Sequence, residues 1–188
     1  SSSNFNFASG VILATGDVNV IDPSFIGPVF PPPNTVTDPD LLNVANLVPP
    51  LLPPPYTNSF NVSNINDVAI LEFDFVAKSD SLSFNYVFGS SEYYMFENTP
   101  YNDVFGFFLS GPGINGTHSN NAINLANVPS SSPELPITIS SVNEVTPINE
   151  QYFIDNRSGF SDIAYINGFT KSFTAKAALQ IGQTYHIR

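Results

Sequence analysis

Four oxygen-bearing side chains fall close together in the middle of this chain: Glu92, Glu97, Asn102 and Asp103. Carboxylates and amides on a loop are suitable ligands for a hard divalent cation, which needs six to eight oxygens. Ca²⁺ as a stiffening ion is the first expectation, with Glu92, Asn102 and Asp103 as ligands and Glu97 in reserve. Asp17 or Asp155 could join from other loops. The spacing matches no EF-hand, and Asn102 and Asp103 could equally hydrogen-bond the loop backbone, as Asx residues often do. Interleaved with them are Tyr93, Tyr94, Phe96 and Tyr101. Aromatic faces beside Asn and Asp suit a glycan or protein ligand, so Tyr93, Tyr94 and Tyr101 are candidate contact residues. The competing reading buries half of these rings in the core.

Catalysis has weaker support. Glu92 with Glu97, or Glu92 with Asp103, could act as an acid/base pair on a glycan. His118 and His186 sit in unlike settings, a Gly/Asn/Ser turn and a strand, without an HExxH pattern. No nucleophile-elbow motif supports a serine hydrolase. The expectation is therefore no enzyme, with a glycan-active domain as the third choice.

The elements that hold this loop are legible in their alternation. Leu71, Phe73 and Phe75 share one face and Glu72 and Asp74 the other; Leu82, Phe84, Tyr86 and Phe88 repeat the pattern. A period of two marks half-buried strands, and the polar connector 77–81 predicts a hairpin between them. Val104–Leu109 reads as a buried central strand with a close contact at Gly106. Val11–Ala14, 122–128, 137–142, 169–179 and 185–188 are further expected strands. Lys171 interrupts the face of the run 169–179 and is placed at a strand's edge. Most of the seventeen prolines fall in 22–56, a long excursion pinned by Phe25, Phe30, Leu51 and Leu52. One helical turn is possible there, with Asp38 as N-cap and Pro39 in the first position. No longer amphipathic helix is expected. The sum is all-β: one domain over 1–188, a two-sheet antiparallel sandwich, jelly-roll-like, with a Pro-rich excursion.

Five Lys+Arg against sixteen Asp+Glu give a net charge of -11. Nucleic acid and anionic membrane surfaces both need a basic footprint, so neither is an expected partner. No run approaches the ~20 apolar residues of a membrane span. There is no cysteine and hence no disulfide. The ends, Ser-Ser-Ser-Asn and His-Ile-Arg, read as cuts through a longer protein, with a last strand expected beyond 188. Sequons at Asn61, Asn115 and Asn156, and the Asp80-Ser81-Leu82 triplet, are weak modification signals.

The segments SGVILATGDV, AILEFDFVAKSDSLSFNYVFGSSEYYMF, YNDVFGFFLSGPGI, SNNAINLANVP, QYFIDN and GFTKSFTAKAALQIGQTYHIR follow in this order. Together they resemble the choice-of-anchor L domain. The resemblance implies a β-rich module of a large secreted bacterial surface protein, extracellular and frequently exported by type IX secretion. Its expected role is non-catalytic adhesion or display through the 90–103 region, meeting an extracellular glycan, a protein or neighbouring domains of its own parent. A structural spacer in a filament or stalk is the alternative.

Overall fold

The structure is a computed structural model that describes residues 5, 7–21, 36–159, 163 and 165–188. Among these residues lie nine strands and one α-helix. The strands are β1 (Phe73–Val76), β2 (Ser81–Tyr86), β3 (Gly89–Ser90), β4 (Phe108–Ser110), β5 (Ile123–Asn124), β6 (Phe153–Asp155), β7 (Gly168–Thr170), β8 (Phe173–Ala178) and β9 (Thr184–Ile187). All pairings are antiparallel, in sheets of order β1-β9-β4-β5, β2-β8 and β3-β7-β6.

The predicted hairpin between β1 and β2 does not form. Instead residues 73–90 run antiparallel to 168–187 along their whole length, crossing from one sheet to the next. Two register offsets turn this ribbon. Between the pairs Val76↔Thr184 and Ser81↔Ala178, the four residues 77–80 face the five residues 179–183. Between Tyr86↔Phe173 and Gly89↔Phe169, the two residues 87–88 face the three residues 170–172. An unmatched residue bends a strand and sharpens its twist. Lys171 sits in the second offset, so its break in the apolar pattern is a bulge within the ribbon. The connector 77–80 is polar because it lines this corner: Ala77 N–H donates to the Gln183 carbonyl (2.9 Å) and Leu179 N–H to the Asp80 carbonyl (2.7 Å).

The alternating face of β2 is the centre of the core. Phe84 and Tyr86 meet Phe107 edge-on, with ring centroids 4.6 Å and 5.1 Å away, and Phe88 stacks on Phe105 at 6.1 Å. Phe173 and Ala175 of β8 are buried beside them, as their spacing requires. Leu109, Tyr185 and Ile187 form a second buried cluster, against which Phe75 of β1 packs.

Several expected strands are shorter or absent; of 122–128 only Ile123–Asn124 is one. Val11–Ala14 is in no strand and its apolar side chains are exposed. Of Val104–Leu109 only Phe108 and Leu109 fall in a strand, while Val104 forms one isolated bridge to Thr138. Residues 138–143 turn instead of extending, because Thr138, Ser141 and Asn143 bond local backbone: Ser141 Oγ accepts from Thr138 N–H (2.9 Å), and Asn143 Nδ2 donates to the Ile139 carbonyl (3.0 Å). Such local bonds compete with a ladder.

The helix α1 (Pro39–Leu47) is longer than the one turn predicted. Asp38 caps it, its Oδ1 accepting from Asp40 N–H (2.8 Å) and Leu41 N–H (2.9 Å), and Pro39 opens it. Val44 and Ala45 are buried, and Leu41 comes within 3.3 Å of where a side chain at Gly106 would begin. The Phe108 ring comes closer still, at 2.7 Å, and supplies the close contact expected of Gly106. Residues 22–35, including Phe25, Phe30 and Pro31–Pro33 of the Pro-rich excursion, lie outside the described residues.

Candidate functional site

The loop 90–103 is built on β3. Ser90 pairs with Gly168 of β7, and the Asn167 N–H donates to the Ser90 carbonyl at 3.0 Å. From that fixed point the Ser90 hydroxyl donates to Asp103 Oδ2 (2.6 Å) and accepts from Glu92 N–H (2.8 Å). One serine thus closes the loop, tying its first turn to its last residue. The Glu92 carbonyl accepts from Met95 and Phe96 N–H, both at 3.2 Å, and Glu97 Oε1 accepts from Tyr94 N–H at 2.6 Å. Tyr94 has φ 75, a left-handed conformation unfavourable for a bulky residue and held here by these bonds.

Two predicted acidic residues meet. Burial, the negative charge of Asp103 and a hydrogen bond to it push the Glu92 carboxyl up to about 7. Burial also raises Asp103, against the hydrogen bonds from Ser90 and Glu92. Two carboxyls this close and this buried resist ionising together. The other proposed ligands are engaged elsewhere. Asn102 is buried and its Oδ1 accepts from Ser140 Oγ (2.9 Å). Glu97 caps Tyr94, Asp155 chelates Arg157 through bonds of 3.1 Å to Nε and Nη2, and Asp17 accepts from Asn19 N–H. Among the described residues, no three or more His, Cys, Asp or Glu side chains are grouped so that they could hold a metal ion.

The aromatic residues divide. Tyr93 is 0 % exposed and packs against Phe153, with centroids 4.8 Å apart. It offers no ring face to a ligand, and its buried hydroxyl has no hydrogen-bond partner. Tyr94 lies partly open: its hydroxyl donates to Glu144, and the Arg157 guanidinium sits 3.1 Å from its ring centroid. Tyr101 is 68 % exposed and Met95 64 % exposed, with Phe96 edge-on to Tyr101 at 5.6 Å. Sequence reasoning missed Met95, Glu144 and Arg157. The last two come from distant loops, and nothing in the sequence brings them to Tyr94.

His118 is packed edge-on to Phe108, with Nδ1 3.7 Å from Asp40, and burial lowers its basicity. His186 Nδ1 bonds Asp74 at 2.8 Å, beside Glu72, at a shallow cavity of about 190 Å³ that Phe108 and Asn120 also line. The two histidines belong to different contacts and share no site. Of the sequons, Asn61 and Asn115 are exposed, whereas Asn156 is buried with Nδ2 donating to the Ile163 and Ile166 carbonyls. Ser81 is exposed at the start of β2.

The family model of the choice-of-anchor L domain matches residues 1–188, the whole chain. No curated protein and no solved structure matches it. Among the described residues no helix is long and apolar enough to cross a membrane.

Proposed function

Since the chain belongs to the choice-of-anchor L family, whose members are surface or secreted proteins, we propose that it is a non-catalytic adhesion or display module of an exported bacterial protein. Its contact surface is the outer rim of loop 90–103: Tyr101, Met95 and the Arg157-backed Tyr94. The observation that carries this reading is the exposure of Met95 and Tyr101 on a loop whose backbone is fixed from inside by Ser90, Glu97 and Ser140. A loop whose backbone is already pinned loses little backbone entropy on binding, and exposed apolar side chains on it suit an interaction site. An extracellular glycan or protein is the partner class that this mixture of rings, Arg157, Asp155 and Glu144 suits. Type IX secretion is the export route consistent with the resemblance, and a jelly-roll-like sandwich is the arrangement we infer for the sheets.

Glycan hydrolysis fits the site less well. Glycosidase carboxyls stand roughly 5–10 Å apart to leave room for the sugar or a water, whereas Glu92 and Asp103 are tied to one serine hydroxyl and interact directly. Ca²⁺ is proposed in a reduced form, with Glu92 and Asp103 as its carboxylates and any proton on Glu92 displaced.

The test is binding of the immobilised chain to arrays of extracellular glycans and matrix proteins. Tyr101→Ser and Met95→Ser together are expected to weaken the strongest interaction roughly tenfold or more without moving Tm. An array without hits, or hits indifferent to both substitutions, transfers the role to the structural spacer.

A further inference from the structure

Two apolar features of the described residues have no partner, and neither belongs to loop 90–103. The first is the arm Gly10–Ala14, whose sequence GVILA is that of a strand. Among the described residues it pairs with none: Val11 is 80 % exposed, Ile12 and Leu13 are exposed, and a side chain at Gly10 would meet no atom within 4 Å. The second is the outer edge of β1, which ends its sheet in the order β1-β9-β4-β5. Ala77 N–H donates to the Gln183 carbonyl in the register of Val76↔Thr184, so Phe73 and Phe75 also turn their backbone groups toward β9. By alternation the amides and carbonyls of Glu72, Asp74 and Val76 point outward. Beside them Ile70, Leu71, Phe73 and Val76 are exposed. An open, apolar edge is a template for another strand.

We propose that the Gly10–Ala14 arm of one copy adds as a strand to the β1 edge of a second copy. Backbone bonds from Glu72, Asp74 and Val76 would hold the added strand, and its alternating Val11, Ile12 and Leu13 would cover apolar side chains on both faces. Charge agrees with this occupant: the arm carries none, so the carboxylates of Glu72 and Asp74 do not repel it. The root of the arm points to a second molecule. Phe5 packs edge-on to Phe169 of β7, with centroids 5.0 Å apart, and β7 pairs with the opposite end of the ribbon from β1. The contact is head to tail, each copy offering one arm and one edge, so it can propagate.

Light scattering on the full chain over a range of concentrations tests this. Association is expected to be reversible and to strengthen with added salt, which screens the repulsion between copies of charge -11. Ile12→Lys spoils the arm and Val76→Lys spoils the edge. Each alone is expected to weaken association roughly tenfold or more, with Tm unchanged because both side chains are exposed. Mixed together, the two variants re-associate as one-to-one dimers, since one keeps its edge and the other its arm. A chain that is monomeric throughout overturns the proposal, and so does a mixture that fails to re-associate. Amide protection of residues 11–14 in a monomer puts the arm on its own chain and overturns it equally.

Discussion

Burial first, and then the Asp103 carboxyl that Ser90 holds beside it, raise the Glu92 carboxyl above its ordinary range. The Ser90 hydroxyl draws Asp103 to the start of the loop, and the second carboxyl then has a negative neighbour and little water. Below about pH 4.5 the folded and unfolded chains both carry the Glu92 proton; between about 4.5 and 7 only the folded chain does. Stability therefore falls as pH rises through that window, by about 1–2 kcal/mol once the solvent contact of Glu92 is allowed for. Glu92→Gln supplies a neutral donor at every pH, so its Tm is expected to stay flat across the window and to exceed the wild-type Tm at alkaline pH. Excess Ca²⁺ is expected to restore the alkaline loss in the wild type and not in Glu92→Gln. A wild-type profile that chelator leaves unchanged removes the ion from the functional reading. The sequence offered Glu92 with either Glu97 or Asp103, and in the fold it is Asp103 that acts on the Glu92 carboxyl. The sequence could not reveal that Asn102 faces Ser140 or that Tyr93 faces inward, because both depend on loops some forty or more residues away.

The ribbon of 73–90 with 168–187 depends on small residues at its narrow end. At Gly168 a Cβ would lie 2.4 Å from the Phe153 ring and 3.0 Å from the Tyr93 ring. Gly168→Ala forces both rings aside and is expected to destabilise by about 1–3 kcal/mol, with roughly 2–4 °C of Tm lost per kcal/mol. Because Gly168 pairs with Ser90, the same change should alter the Glu92 titration; thermal scans at several pH values read both effects. An unaltered Tm would mean that the rings have room to move. These strands were legible as strands because β2 and β8 alternate cleanly. Their partners were not, since pairing joins residues some eighty or more positions apart and periodicity carries no address. The connector 77–81 looked like a hairpin turn for the same reason that it suits a corner: both need short polar backbone. Asp38-Pro39 gave away the start of α1, where the chemistry is local. Residues 138–143 misled, since Thr, Ser and Asn satisfied the backbone through their side chains.

At the scale of the molecule, Arg188 joins elements that the chain separates most. Its guanidinium pairs with Asp38 and Asp40 at the head of α1 and lies over Phe108, 5.0 Å from the ring centroid. Its backbone exchanges hydrogen bonds with Phe108, at 2.8 Å and 3.0 Å. Both aspartates are buried, so Arg188→Met strands two carboxylates and is expected to cost about 3–5 kcal/mol. The urea midpoint should drop without a change in slope; a midpoint within error of the wild type would show that other groups neutralise the pair. β9 itself lies between β1 and β4, bonded on both sides. A pull applied at Arg188 along this strand would load both ladders and the guanidinium clamp in shear, so many bonds must fail together and none can unzip singly. For a module on an exposed surface, the position of one strand in its sheet is thus a mechanical property, a resistance to tension.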